Sequence, residues 1–371
     1  MTDPISKEIE LTLLLSLPDP GPGEVTSMLA LLNTPLDWNQ VLGMLTVHRT
    51  IGVGWHNIVR YAVEQRQTLR PSYFLRSLMV TADGQRVKAR EQLELTARVQ
   101  QILERAGARS AVLKGAAVAA MAYPDLGMRM FNDNDLLIDR EQLASVVRVL
   151  EADGYVQGNW DYATASIRPA PRREVLHMAV NSHQTYPYMK ATPDAVMLEC
   201  HRLDVHLSID LMTGNRTDDA VALLLDDRIE ASGLTALSAT DMLIMTAVHF
   251  AREAVHRDEV LMLKDLVLNK LVDVLALLRR PDLGDVPARA GRLGLSREVF
   301  FALHYTDETF PGRVPADLLE QLRPERLDYL DEVGDGREVV HRWSSPVKQR
   351  FFDIHRLREL DEALAGPAVR R

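Results

Sequence analysis

The sequence has a single cysteine, Cys200, so neither an internal disulfide framework nor an all-cysteine metal cage can form. No apolar run approaches the roughly 18 residues of a membrane span. Residues Met1 to Glu8 lack a basic start, and the apolar run Leu11 to Leu17 is interrupted by Thr and Ser before Pro18, unlike a secretory signal. The expectation is a soluble chain in a reducing cytoplasm. A basic surplus is missing too: 43 Lys plus Arg stand against 52 Asp plus Glu, a formal charge of -9. That is the reverse of what non-specific binding to a phosphate polyanion requires, so nucleic acid is disfavoured as a partner. There is no internal repeat and no low-complexity tract, which sets aside solenoids and linker-dominated architectures.

What is present is globular. Hydrophobic residues make up 46% and charged residues 26%, and 371 residues exceed what one core usually holds, so two compact units are expected. A helix over Ile5–Leu17 ends at the breaker cluster Pro18-Asp19-Pro20-Gly21-Pro22-Gly23. Helical spacing continues from Val25 to about Gln67, with Asp37 as an N-cap before Trp38, and the Pro-free run Ser72–Ala106 has the period of an amphipathic helix. At Gly107 the texture changes. Ala108–Leu113 and Met130–Ile138 read as strands, separated by an Ala-rich helix over Gly115–Tyr123 and followed by a helix over Glu141–Asp153. Val175–Val180 and Ala195–His201 read as further strands. From Thr217 the helical period returns, with Thr240-Asp241 capping Met242–Val255 and another helix over Val260–Leu278. The class is α+β: a helical N-terminal region (1–106), a mixed core (107–212) and a helical C-terminal region (213–371).

The segment Arg129-Met130-Phe131-Asn132-Asp133-Asn134-Asp135-Leu136-Leu137-Ile138 carries the chemistry. Side chains alternate along a strand, so Asp133 and Asp135 point to one face with about 6 to 7 Å between their Cα atoms. Two ionised carboxylates this close repel, and a hard divalent cation neutralises them at least cost unless one pKa rises. All-oxygen ligands favour Mg²⁺, which typically uses one or two carboxylates together with substrate phosphates. That points to phosphoryl transfer. Upstream, Leu113-Lys114-Gly115 is a turn from a strand into a helix, where backbone N–H groups face an anion. Lys114 is either a point charge on the same phosphates or an exposed loop lysine.

These residues resemble the nucleotidyltransferase superfamily, with its glycine-containing turn, two-carboxylate strand and third carboxylate on a later strand. They are most similar to one branch, the uncharacterised nucleotidyltransferase family. The resemblance rests on Leu113-Lys114-Gly115, Tyr123-Pro124, Arg129 and the Asp-x-Asp-Leu-Leu strand from Asp133 to Leu137. Outside the motif it extends to Glu199-Cys200-His201 and to helical parts containing His249 and Asp273, covering most of residues 25 to 280. Two positions depart from the pattern: Asn134 replaces an aliphatic residue, and Ala116 replaces the serine common in the wider superfamily.

The resemblance implies a nucleotidyltransferase-like mixed sheet and an NTP-dependent enzyme, with ATP the first donor to test and Mg²⁺ or Mn²⁺ as cofactor. Its acceptor would be a small molecule, a peptide or a protein side chain, in a biosynthetic or modification pathway. Asp133, Asp135 and Glu199 are the candidate catalytic and metal-binding residues. Glu199 either completes the metal site or deprotonates the acceptor, and Asp204 is the fallback. Lys114, Gly115, Ala116, Arg129, His201 and Lys270 are the candidates for holding the nucleotide, with Lys264 and Asp273 as weaker ones. Lys270 and Asp273, three apart, could instead only pair with each other. Two alternatives compete. One is a catalytically silent nucleotide-binding or scaffold protein. The other is a transition-metal hydrolase using His177, His183, His201, His206, His249 or His256, for which no His-Glu-x-x-His signature is present. Removing one charge of a repelling pair, as in Asp135→Asn, is expected to abolish transfer and spare the fold.

Overall fold

The computed structural model describes residues 5–66, 68–209, 218–335 and 338–364. The chain divides into two units, one running from Ser77 to Met245 and one built from both ends, Met1–Arg76 with Thr246–Arg371. The expected change of region at 212/213 lies outside the described residues, as does the restart of helical period at Thr217.

The Ser77–Met245 unit holds an eight-stranded mixed sheet. Its strands are β1 (Ser110–Leu113), β2 (Asn134–Ile138), β3 (Val156–Asp161), β4 (Ser166–Pro169), β5 (Tyr188–Ala191), β6 (Cys200–His206), β7 (Ile229–Ala231) and β8 (Leu234–Ala236), in the order β4-β3-β5-β6-β2-β1-β8-β7. β1 runs antiparallel to β2 and parallel to β8, while β2 and β6 run parallel. Every residue of β1 and β2 is buried, which is why Ala111–Leu113 and Leu136–Ile138 are apolar without alternation. The Ala-rich helix Lys114–Ala122 follows β1 directly, and its small buried side chains let it lie close to β1 and β2. The 34-residue helix Ser72–Arg105 lies almost wholly in this unit and buries Leu78, Ala82, Ala89, Leu93, Val99 and Leu103 along one stripe.

The strand expected over Met130–Ile138 begins only at Asn134, leaving Asp133 just before it, and β7 and β8 lie in the region expected to be helical. Three further elements differ from the sequence reading. Val175–Val180 belongs to a helix, Arg172–Asn181, which starts at Pro171 and carries Glu174 in its first turn; these start signals override the short apolar run. Ala195–Leu198 is a loop, because the Glu91 carboxylate accepts from the backbone N–H groups of Val196, Met197 and Leu198 at 2.6, 3.0 and 2.9 Å. The strand starts only at Cys200. The expected helix Val260–Leu278 is two helices, Arg257–Leu261 and Leu268–Leu278. The first is closed by Leu263 in the left-handed region at φ +57, with Lys264 N–H bonded to the Glu259 carbonyl.

The other unit is mostly helical. Asp37 caps Trp38–Val47 through Oδ1, which accepts from Asn39 and Gln40 N–H at 3.0 and 3.2 Å. Asn57 Nδ2 donates to the Leu15 and Leu17 carbonyls at the end of helix Lys7–Ser16, at 3.1 and 2.8 Å. Two buried arginines are paired: Arg356 forks onto the buried Asp265 at 2.8 and 3.3 Å, and Arg350 holds the half-exposed Asp331 at 2.8 Å. Among the described residues of the whole chain, no helix is long and apolar enough to cross a membrane.

Candidate active site

The register of the central strands builds the site. Leu113 of β1 pairs with Asp135 of β2, and Asp135 pairs with Asp204 of β6, so the end of β1 and two carboxylates stand in one row across the sheet. Along β6, period-two alternation puts Arg202, Asp204 and His206 on the face that Asp135 uses, and His201, Leu203 and Val205 on the other. The contacts agree. His206 Nε2 lies 2.7 Å from Asp135 Oδ1, and Lys114 Nζ donates to the same oxygen at 2.9 Å. Arg202 forks onto both oxygens of Asp204 at 3.0 and 2.8 Å.

Lys114 reaches Asp135 because of its backbone. It sits at φ +49, in the left-handed region that non-glycine residues rarely adopt, at the point where β1 turns into helix Lys114–Ala122. Gly115 follows, and packing alone already requires a glycine there. A Cβ there would lie 2.7 Å from the Phe131 Cβ and 3.9 Å from Arg129 Nη2, so only glycine lets the turn pass the segment leading to Asp133. The helix has no side-chain cap, and Ala116 is fully buried in its first turn. Arg129 stands beside this turn, its carbonyl accepting from Gln85 Nε2 at 3.2 Å and its guanidinium donating to the Met130 carbonyl.

The three aspartates are not equivalent. Burial by itself raises the Asp135 carboxyl, but the Lys114 ammonium and the His206 hydrogen bond outweigh it and hold the group well below the usual carboxylate range. Burial pushes Asp133 up, and the charges of Asp135 and Asp204 push it further. Burial also pushes Asp204 up, against the opposing pull of Arg202. One carboxylate is thus firmly ionised, and burial holds the other two above their ordinary values. Asn134, between Asp133 and Asp135, turns to the opposite face, fully buried, and donates to the Arg202 carbonyl at 3.1 Å. Its polar side chain therefore ties β2 to β6.

Glu199 is not brought into this row. It is exposed, one residue before β6, and accepts from Trp160 Nε1 at 3.2 Å. Were β6 extended to include it, alternation would place it on the face of His201, away from Asp204. The third carboxylate beside Asp135 is Asp204. His201 is also apart: fully buried, it contacts Thr96 Oγ1 at 3.1 Å and the Tyr155 hydroxyl at 2.7 Å, and burial pulls its pKa down to about 3. Lys270 lies in the other unit, where its ammonium pairs with Glu253 rather than Asp273. Lys264 pairs with Glu259 at 3.1 Å. Of the residues the sequence reading weighed only in passing or missed, His206 and Arg202 carry the visible signal, a charged residue at every second position up to and beyond Asp204.

The donor set is all oxygen, with one carboxylate pre-ionised and its neighbour repelled, which fits a hard divalent cation. Among the described residues no three His, Cys, Asp or Glu side chains form a ready-made metal cage. Such a set suits a cation that brings substrate phosphates as further ligands. The sequence profile of the family described as "Uncharacterised nucleotidyltransferase" matches residues 34–311, well over half of the chain. No curated protein matches it.

Proposed function

From the premise that this chain belongs to the uncharacterised nucleotidyltransferase family, we propose that it moves a nucleoside monophosphate from a nucleoside triphosphate to an acceptor nucleophile and releases pyrophosphate. The observation that carries the reading is the row Leu113–Asp135–Asp204 with Asp133 beside it, at the mouth of an uncapped helix turn. Asp133 and Asp135 would hold Mg²⁺ or Mn²⁺, whose chemistry is to polarise the α-phosphoryl group and offset charge on the departing pyrophosphate. Lys114 and His206 keep Asp135 ionised and oriented for that task. Asp204, its pKa raised by burial and its orientation fixed by Arg202, is suited to take the acceptor's proton as the new oxygen–phosphorus bond forms and the bond to pyrophosphate breaks.

The acceptor is a small molecule, a peptide or a protein side chain, in keeping with the acidic surplus of the chain. ATP is the first donor to test. Thermal-shift titration with ATP, GTP, CTP and UTP, with and without Mg²⁺, should show magnesium-dependent stabilisation by at least one triphosphate. The double variant Asp133→Asn/Asp135→Asn should lose it. Indifference of the wild-type chain to all four sinks the reading.

A further inference from the structure

The carboxylate group has cations of its own, and most are spent. Lys114 is committed to Asp135 and Arg202 to Asp204. Lys88 is different. It projects from the middle of helix Ser72–Arg105, is half-buried, and donates to the neutral side chain of Asn132 at 2.9 Å, one residue before Asp133. Among the described residues it forms no ion pair. Two positions earlier on the same helix, Arg86 is fully paired, with Asp125 at 2.7 Å and with Asp83.

An ammonium removed from water without a carboxylate in contact is unfavourable, and a lysine that only anchored a loop would gain more from an acid at position 132 than from an amide. Burial lowers the Lys88 pKa, while the charges of Glu199 and Asp133 act in the opposite direction from farther out. Lys88 therefore stands in the field of Asp133 without touching it. An ammonium has three donors; Asn132 takes one, which leaves two for an anion.

We propose that Lys88 forms an oxyanion site for a phosphate group beside Asp133. This rests on the reading of the aspartates as a nucleotidyl-transfer centre and adds to it a cation from outside the strand–turn–helix motif. The phosphate is either part of the donor's polyphosphate tail or a phosphate carried by the acceptor. Both present the same oxyanion.

The test is calorimetry on the full chain, wild type against Lys88→Met and Lys88→Arg, with two probes. The first is magnesium tripolyphosphate, the second inorganic phosphate added over saturating Mg²⁺ and α,β-methylene-ATP. Lys88→Met should weaken one of the two by about 10- to 100-fold, the value of a charge-assisted contact, and Lys88→Arg should restore most of it. Loss of tripolyphosphate binding assigns the site to the donor tail; loss of phosphate binding alone assigns it to the acceptor. The melting temperature of Lys88→Met should hold or rise, because a charge without an ion pair has been removed. A lowered melting temperature with both affinities unchanged would make Lys88 a structural tie to Asn132 and overturn the site. A wild-type chain that binds no magnesium nucleotide overturns the transfer reading itself, whereas wild-type binding matched by Lys88→Met overturns only the Lys88 site.

Discussion

Buried charge is handled in two ways in this molecule. In the unit built from both chain ends, Arg356 and Asp265 are paired and nearly inaccessible, with side chains 9% and 2% exposed. In the Ser77–Met245 unit, Lys114 contacts Asp135 and Arg202 contacts Asp204, and Asp133 is left pushed above its ordinary pKa. Matched buried pairs specify a structure and are replaceable by apolar groups of similar size. An unmatched group stores repulsion that a bound cation relieves, and that is what a site needs.

The contrast should be visible in mutants. Asp133→Asn and Asp135→Asn should each lower transfer by about 10³-fold or more, as expected when charge stabilisation at a reacting phosphoryl group is lost. Their stabilities should split. Asp133→Asn should melt at or above the wild-type temperature. Asp135→Asn should lose roughly 1–3 kcal/mol, because Lys114 and His206 lose their shared partner. The structure thus corrects the expectation that Asp135→Asn spares the fold: Asp133 is the repelled member and Asp135 the paired one. Equal melting temperatures for the two variants would refute the asymmetry.

In the other unit, Asp265→Asn should cost about 3–5 kcal/mol in urea unfolding, while the double replacement Asp265→Leu/Arg356→Met should recover most of it. A double variant as unstable as the single one would show that this pair does more than fill space. Gly115→Ala is a smaller perturbation. Its Cβ would overlap Phe131, so a loss of about 1–3 kcal/mol is expected, with turnover falling further than stability predicts because Phe131 leads directly to Asp133.

A further effect is one the two units share. His201 in one and His48 in the other are buried, and burial lowers both pKa values from 6.5 to about 3. Between those limits the unfolded chain takes up a proton that the folded chain refuses, so stability falls as pH drops from about 6.5 toward 3. The slope is at most about 1.4 kcal/mol per pH unit for each histidine. Urea midpoints at pH 7 and pH 5 should show it, and His201→Gln should flatten it. A slope unchanged in that variant would mean that His201 does not contribute.

Much of this was legible in the sequence because it depends on near neighbours. The Asp37 cap, the long Pro-free helix, the apolar strands around Asp135 and the Lys-Gly turn are each written within a few residues, and the family profile over residues 34–311 agrees with the motif. What misled was the start of β6. Reading Ala195–Leu198 as strand placed Glu199 and His201 on the working face. In fact Glu91, more than a hundred residues earlier, holds that stretch as a loop, and the strand that follows presents Arg202, Asp204 and His206 instead. No local pattern announces a carboxylate that distant.

The sequence by itself determined the composition of the site, its Asp-x-Asp spacing and the family, because these are properties of residue identity and short separations. Tertiary structure decided which third carboxylate stands beside Asp135, which lysine is spent on an aspartate and which meets only a neutral amide. It also decided that Gly115 serves to clear Phe131. Strand register and burial settle such questions, and both depend on residues far apart in the chain, where a shift of one position turns every side chain to the opposite face.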